Sequence, residues 1–339
     1  MTGMPLSALE LALVESGRSA ADALGQVAEV ARRLEDLGCQ RIWIAEHHGS
    51  PAIATASPPV LAAHLAALTS TIRIGSGGVM APNHAPYAVA EQFATLAALH
   101  PGRIDIGIGR GPGTLDQAIV RALRRGAEPA TDADYRADVT ELLGLITSGR
   151  VLPGDVPMPE PWLLCSSAAG AALAAELGLP IGVAHHLRPQ NTTEVLERYR
   201  ADFRPSRWRD RPYVILSVET VCADTDAEAA VLARPSYVLR ARILATDSHG
   251  EPELLPPAEA ADYVVPPEIA EQLDRRSAQQ AYGGPDRVIR ALTDLAAGTD
   301  ADELMLVTPV YDAAARARSY ELVAKGLAGA DAGRHEVVS

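Results

Sequence analysis

The sequence predicts an α/β protein, a single (β/α)8 TIM barrel with insertions over the rim at the C-terminal ends of its strands. Three observations carry that prediction. Short apolar runs alternate with amphipathic helical patterns along all 339 residues. Parallel neighbouring strands require crossover connections of this kind. The strand candidates number eight, which suits a closed barrel better than an open doubly wound sheet.

The elements follow in order. The first apolar run covers 6–13. Leu24, Val27, Ala31 and Leu34 then fall on one face of a helix over 19–37. Gly38 marks the return to a strand at 41–45. The next two helices, 59–68 and 86–99, each begin with proline near the first turn, where its missing N–H costs nothing. They lead into strands at 72–77 and 104–108. An irregular stretch, 111–160, precedes a strand at 162–165 and a helix at 169–177. Gly178 stops that helix before a strand at 181–184. A helix at 193–203 and a strand at 214–220 come next. A second irregular stretch, 236–285, is rich in proline and acid. Gly298 then punctuates the return to a strand at 303–307, and a helix over 312–327 follows. We expect one domain over 1–339, with 111–160 and 236–285 as insertions and candidate lid segments. A polar tail is expected over 330–339.

Composition narrows the function. The formal net charge of −13 would repel phosphates, which argues against nucleic acid or an anionic membrane surface as partner. Cys39, Cys165 and Cys222 are too few and too scattered for a disulfide framework or a zinc site, and they fit a reducing cytoplasm. The N-terminal region carries Glu10 and Glu15 and no basic patch leading into an apolar run, so it does not read as a signal peptide. Glu176, Gly178 and Pro180 interrupt the most apolar stretch, 168–184, which excludes it as a membrane span.

In a (β/α) barrel the active site gathers at the C-terminal strand ends. Here those ends read Ala45-Glu46-His47-His48, then Gly75-Ser76-Gly77-Gly78-Val79-Met80, then Gly107-Ile108-Gly109-Arg110-Gly111, then Cys165-Ser166-Ser167, then Ala184-His185-His186. With His84, which follows the third strand end in Pro82-Asn83-His84, five of the nine histidines thus collect on one face. Gly77 and Gly78 either mark a tight turn or let the backbone approach a flat ligand. The glycines after the fourth strand miss the dinucleotide fingerprint, because its third glycine would fall at Pro112. Arg110 instead suits a phosphate. Ser166 and Ser167 offer hydroxyls and free amides to the same phosphate, or else serve as a plain helix cap. Tandem His47-His48 after a buried strand is as consistent with catalysis as with structure. No His-Glu-x-x-His, Cys-x-x-Cys or Gly-x-Ser-x-Gly is present, so neither metal ligation nor serine hydrolysis is expected. Cys165 reads as a packed strand residue.

Ala45-Glu46-His47-His48, the run from Ser76 to Pro86 and the run from Pro101 to Gly111 carry a resemblance to a known family. So do Ala174 to Pro180, Gly283-Gly284-Pro285 and Asp302 to Pro309. Through these ordered matches the chain resembles the bacterial luciferase-like monooxygenases along nearly its whole length. The resemblance implies that His47 is the catalytic histidine and Asp116 an acidic neighbour of the active site. It implies a cis peptide at Gly77–Gly78 beside the flavin ring, bordered by Val79. It also implies phosphate contacts from Arg110, Arg136 and Ser167, beside the Ser166 already read as a possible phosphate donor. Two positions depart from the pattern. Gly109 stands where luciferase has a reactive cysteine, and Gly170 where it has a phosphate-binding threonine. The 236–285 stretch also lacks the lysines of luciferase's mobile lid.

The implied activity is oxygenation of a small organic substrate by O2 and reduced FMN, supplied by a separate flavin reductase. A homodimer through the helices after the second and third strands is implied with it. The alanine- and arginine-rich composition, together with the missing light-emission features, suggests a place in secondary metabolism. A deazaflavin-dependent hydride-transfer enzyme and a non-catalytic flavin-binding subunit share the same fold. Both remain open at this point.

Overall fold

Alternation with period two sorts each strand between two cores, and that sorting is what closes the sheet. The computed structural model describes residues 3–245 and 252–336. The strands are β1 (Leu6–Glu10), β2 (Arg41–Ile44), β3 (Arg73–Met80), β4 (Ile104–Gly109), β5 (Glu160–Cys165), β6 (Ile181–Val183), β7 (Val214–Cys222), β8 (Ala281–Gly283) and β9 (Glu303–Val307). All pairings among them are parallel. β1 to β7 follow in order around the barrel, and β9 closes the circle between β7 and β1. The expected (β/α)8 barrel is thus what the chain forms. β8 stands outside the circle, pairing only with Thr220–Cys222 at the end of β7.

The crossovers are α1 (Ala20–Asp36), α2 (Pro58–Leu68), α3 (Pro86–Leu99), α5 (Asp132–Thr147), α6 (Ala168–Leu177), α7 (Thr192–Asp202), α11 (Pro285–Thr299) and α12 (Ala313–Glu336). α1 starts where Ser19 and Asp22 form a reciprocal capping box. The short α4 (Gln117–Leu123) precedes α5, and α8 (Asp226–Ala245), α9 (Pro257–Asp262) and α10 (Pro267–Ser277) fill the passage from β7 to β8.

Both stretches expected to be irregular are therefore partly regular. In 111–160, Tyr135, Val139, Leu142, Leu143 and Ile146 bury one face of α5 at helical spacing, which makes it the crossover of its unit. In 236–285, proline opens helices rather than breaking them: α9 and α10 each carry it in the first turn. Residues 246–251 of that stretch lie outside the described residues. The last helix continues to Glu336, so the polar stretch after Gly329 forms its final turns as far as that residue, and 337–339 lie outside the described residues. β1 ends at Glu10, short of the expected 13, and Ala12 beyond it takes a positive φ.

One core lies between sheet and helices, with Ala8, Ile42, Ile44, Ile74, Ile106 and Leu163 among its strand residues. The other fills the barrel interior with Leu9, Trp43, Trp162, Ile215, Met305 and Val307. Trp43 and Trp162 meet edge to face, 5.3 Å between centroids. Their bulk is accommodated by missing side chains: a Cβ on Gly75, Gly77 or Gly182 would stand 2.9, 2.9 or 3.2 Å from Trp43.

Charged residues at the strand starts close the bottom. Arg41 donates to Asp105 (2.7 Å) and to Glu303 (2.9 Å), and its guanidinium lies 4.6 Å from the Trp162 ring. Arg73 pairs with Asp105 and Glu160. This network is fully partnered, as buried charge requires. Chemistry is thereby left to the opposite rim.

Candidate active site

The rim above β2, β3 and β4 is organised around one carboxylate. Glu46 follows β2 directly and is completely buried. Its Oε1 accepts from Nε2 of His48 (2.9 Å) and Nε2 of His84 (2.8 Å), and its Oε2 from the Met80 amide (3.2 Å). Burial alone would raise the Glu46 pKa. The bonds from His48 and His84, helped by the Met80 amide, outweigh it and hold the group at about 2. An ionised carboxylate only accepts, so both imidazoles carry their proton on Nε2 toward it. Glu46 thus ties the end of β3 and the turn after it to the end of β2.

Backbone bonds complete the clamp. The His47 amide donates to the Thr55 carbonyl (2.8 Å) and the His48 amide to the Gly113 carbonyl (2.7 Å). Gly113 takes φ +70°, and a Cβ there would come within 2.9 Å of the Glu46 carbonyl oxygen. The loop after β4 therefore crosses onto the histidine turn. Asp116 lies on that loop as the N-cap of α4, accepting from the Ala118 amide (2.7 Å).

Gly77, Gly78 and Val79 lie within β3, which runs past its expected end to Met80. The Gly77–Gly78 peptide is cis, as the resemblance implied. Pairing with β4 slips at this point, Gly77 facing Gly107 and Val79 facing Ile108. Packing accounts for both glycines. A Cβ on Gly77 would meet Leu9 at 2.5 Å, and one on Gly78 the Gly107 carbonyl at 2.7 Å.

A cavity of about 610 Å³ opens at the ends of β4 and β5. Arg110, Arg136, Arg188, Ser166, Ser167 and the first turn of α6 line it. Arg110 pairs with Asp132, and Arg136 with Glu176 at 2.8 Å. Ser167 caps α6, its Oγ accepting from the Gly170 amide at 3.5 Å. Three guanidinium groups, two hydroxyls and a helix N-terminus form a donor set suited to a phosphate. The cavity thus has the room and the chemistry for the phosphate end of a flavin nucleotide. Arg110, Arg136, Ser166 and Ser167 come together here. His47 sits on the turn of the neighbouring clamp, and Gly77–Val79 lead into it through Met80. Asp116 lies on the Gly113 loop but, among the described residues, bonds only within its own helix cap. Cys165, fully buried, has its thiol pushed up to about 12 by burial, so it packs rather than attacks.

Sequence reasoning passed over three contributors. Glu46 was legible only as part of a motif, and its role as a hub depends on His84, 38 positions away. Arg188 enters the cavity from the turn after β6. Its one signal is position, just beyond the His185-His186 strand end. The third is a second polar group on that turn. His185 Nε2 donates to the Gln279 carbonyl (2.8 Å), and His186 Nδ1 meets Ser217 Oγ (2.7 Å). Burial, with Arg276 and Arg240 nearby, depresses His186 to about 3 against the pull of Glu219, so it is neutral.

Comparison with known proteins shows the family to which this fold belongs. The family model described as luciferase-like monooxygenase matches residues 4–303. A luciferase-like monooxygenase of Escherichia coli K12 is 37% identical over 323 residues, 93% of this chain and 95% of that protein. N-acetyl-S-alkylcysteine monooxygenase of Bacillus subtilis is 30% identical over 343 residues, 96% of this chain and 98% of that one. The crystal structure of apo-MsnO8 superposes with a TM-score of 0.87 at 38% identity, over 95% of this chain and 98% of its own. At lower identity, an FMN-bound oxygenating component of 3,6-diketocamphane monooxygenase (20%) and an F420-dependent secondary alcohol dehydrogenase (15%) share the fold. The chain belongs to the luciferase-like monooxygenase family and is, with it, an oxidoreductase.

Proposed function

We propose that the protein is a monooxygenase that takes reduced FMN from a separate flavin reductase and uses O2 to oxygenate a small organic substrate. The observation that carries this reading is the convergence on one rim of a phosphate-binding cavity and a histidine clamp. Arg110, Arg136, Arg188, Ser166 and Ser167 would hold the FMN phosphate, at the start of α6. When bound, the reduced flavin supplies the electrons that activate O2. The chain's own part is to bind, orient and keep water out. Gly77 and Gly78 would border the ring with bare backbone, and Val79, 2% exposed, would keep that edge dry. His47 would carry the proton, on a turn fixed by its own amide bond to Thr55 and by its neighbours' bonds to Glu46 and Gly113. Asp116 would contribute negative charge from the adjoining loop. α9 and α10, within the 236–285 stretch, would serve as the lid.

Luciferase-like relatives named as monooxygenases favour oxygen transfer over hydride transfer from a deazaflavin. We place the protein in the cytoplasm, where reductases supply reduced flavin and Cys39, Cys165 and Cys222 stay as thiols. A homodimer through α2 and α3 belongs to the same reading. Among the described residues, no helix is long and apolar enough to cross a membrane.

Anaerobic titration with reduced FMN, and separately with a reduced deazaflavin, tests this proposal. We expect tight binding of reduced FMN. On mixing with oxygenated buffer, reoxidation should pass through a transient absorbance distinct from both redox forms. His47→Ala should still bind flavin while productive oxygenation falls roughly 100-fold. Preference for the deazaflavin would overturn the FMN assignment, and full turnover in His47→Ala would remove that residue from the chemistry.

A further inference from the structure

A second cleft opens on the same rim, across the turn that follows β6. Arg188 of that turn lines the cavity at β4 and β5, whereas Leu187 and Gln190 line this one, of about 490 Å³, together with residues of α8 and α10. Its floor is an ion cluster. Glu219, fully buried on β7, accepts a two-pronged bond from Arg240, a bond from Arg276 (2.6 Å) and one from the Tyr282 hydroxyl. Burial would raise the Glu219 pKa, but the two arginines and Tyr282 lower it, so the carboxylate is charged. One negative charge therefore faces two positive ones, leaving an excess cation in the floor. Arg276 also donates through Nη2 to the His186 carbonyl. Its Nε and Nη1 make no hydrogen bond among the described residues. Leu187, Ile243, Leu244 and Leu273 give the walls an apolar share, beside the amides of Gln190, Gln272 and Gln279.

An adjoining cleft shares Arg240 and Arg276 but also contains Asp274, and its Arg234 is spent on the Ala260 and Tyr263 carbonyls. That composition disfavours an anion. Among the described residues the cleft beside Leu187 has no carboxylate in its lining, and Arg275 at its edge is paired with Glu271. A local cationic excess in a chain of net charge −13 is a specific feature rather than a general one.

We propose that this cleft is the substrate-recognition subsite, and that it takes an organic carboxylate with an apolar body, its charged end on Arg276. The word substrate rests on the monooxygenase reading above. The binding preference does not. A guanidinium edge matches a carboxylate better than any neutral group, and apolar walls beside a few convergent donors are what ligand pockets use.

Calorimetric titration of the flavin-free protein with two matched pairs, octanoate against octanamide and naphthoate against naphthamide, tests the preference. In at least one pair the acid should bind about tenfold more tightly than its amide. Arg276→Met should abolish that preference. Because that change also disturbs the Glu219 cluster, Leu244→Glu is the second variant. Leu244 is 47% exposed and outside the cluster, so a carboxylate there repels the acid and spares the fold. Loss of the acid preference in Leu244→Glu supports the assignment. Equal binding of acid and amide in both pairs, no binding by any of the four, or a preference that survives both substitutions overturns it. Flavin is absent throughout, so failure here and failure of the oxygenation assay are separate results.

Discussion

A carboxylate without solvent is stable only where donors meet its charge, and at Glu46 three do so: two imidazoles and the Met80 amide. The consequence is measurable. Its pKa lies at about 2 in the folded chain against an ordinary 4.5, so its contribution is complete above 4.5 and is lost as pH falls toward 2. Glu46→Gln should therefore cost about 3 kcal/mol near neutral pH, with the gap to the parent protein closing between pH 4.5 and 2. Urea unfolding at stepped pH reads this directly, and a gap that stays constant with pH would refute the hub. Glu46 also shows the limit of a motif. Its place after a buried strand was legible, but its partners were not, because His84 reaches it across a turn from another strand. Arg188 escaped for a similar reason: one exposed arginine among many acquires meaning only beside Arg110 and Arg136.

At the scale of elements, β3 and β4 are built to lie unusually close. Gly107 is the extreme case, since a Cβ there would stand 2.1 Å from the Ser76 carbonyl oxygen, a backbone atom that cannot swing away. Gly107→Ala should cost about 3 kcal/mol or more, lowering the thermal midpoint, whereas an alanine at Gly144 on the outer face of α5 meets nothing within 4 Å. Equal midpoints for the two variants would show that the strands can move apart. The sequence marked Gly77 and Gly78 as special, either a tight turn or a close approach to a ligand. The first demand on them is packing, against Trp43, Leu9 and the neighbouring backbone. Element boundaries were missed where local pattern competes with context. β3 runs three residues beyond its expected end because β4 continues to offer partners past the slip at Gly78. α5 lay hidden in a stretch whose glycines and prolines suggested a loop. β8 was invisible because Ala281-Tyr282-Gly283 makes no apolar run of its own and is defined by its pairing with β7.

For the whole molecule, α2 and α3 present outward apolar residues with no intramolecular use: Val60 is 71% exposed and Leu99 66%. Such a surface suits the proposed homodimer. Val60→Glu combined with Leu99→Glu should halve the mass seen by light scattering while the fold persists by circular dichroism. An unchanged mass would move the interface elsewhere or show the parent protein to be monomeric. The alternation of strand and helix, the count of eight and the rim location of the histidines were all determined by the sequence itself. These are local properties: periodicity, helix starts and stops, and the residues that follow each strand. The tertiary structure alone decided which side chains share a charge. It joined Glu46 to His84, gathered Arg110, Arg136 and Arg188 around one cavity, and seated Arg240 and Arg276 on Glu219. Those groups stand far apart in the chain, and only the folded barrel brings them together.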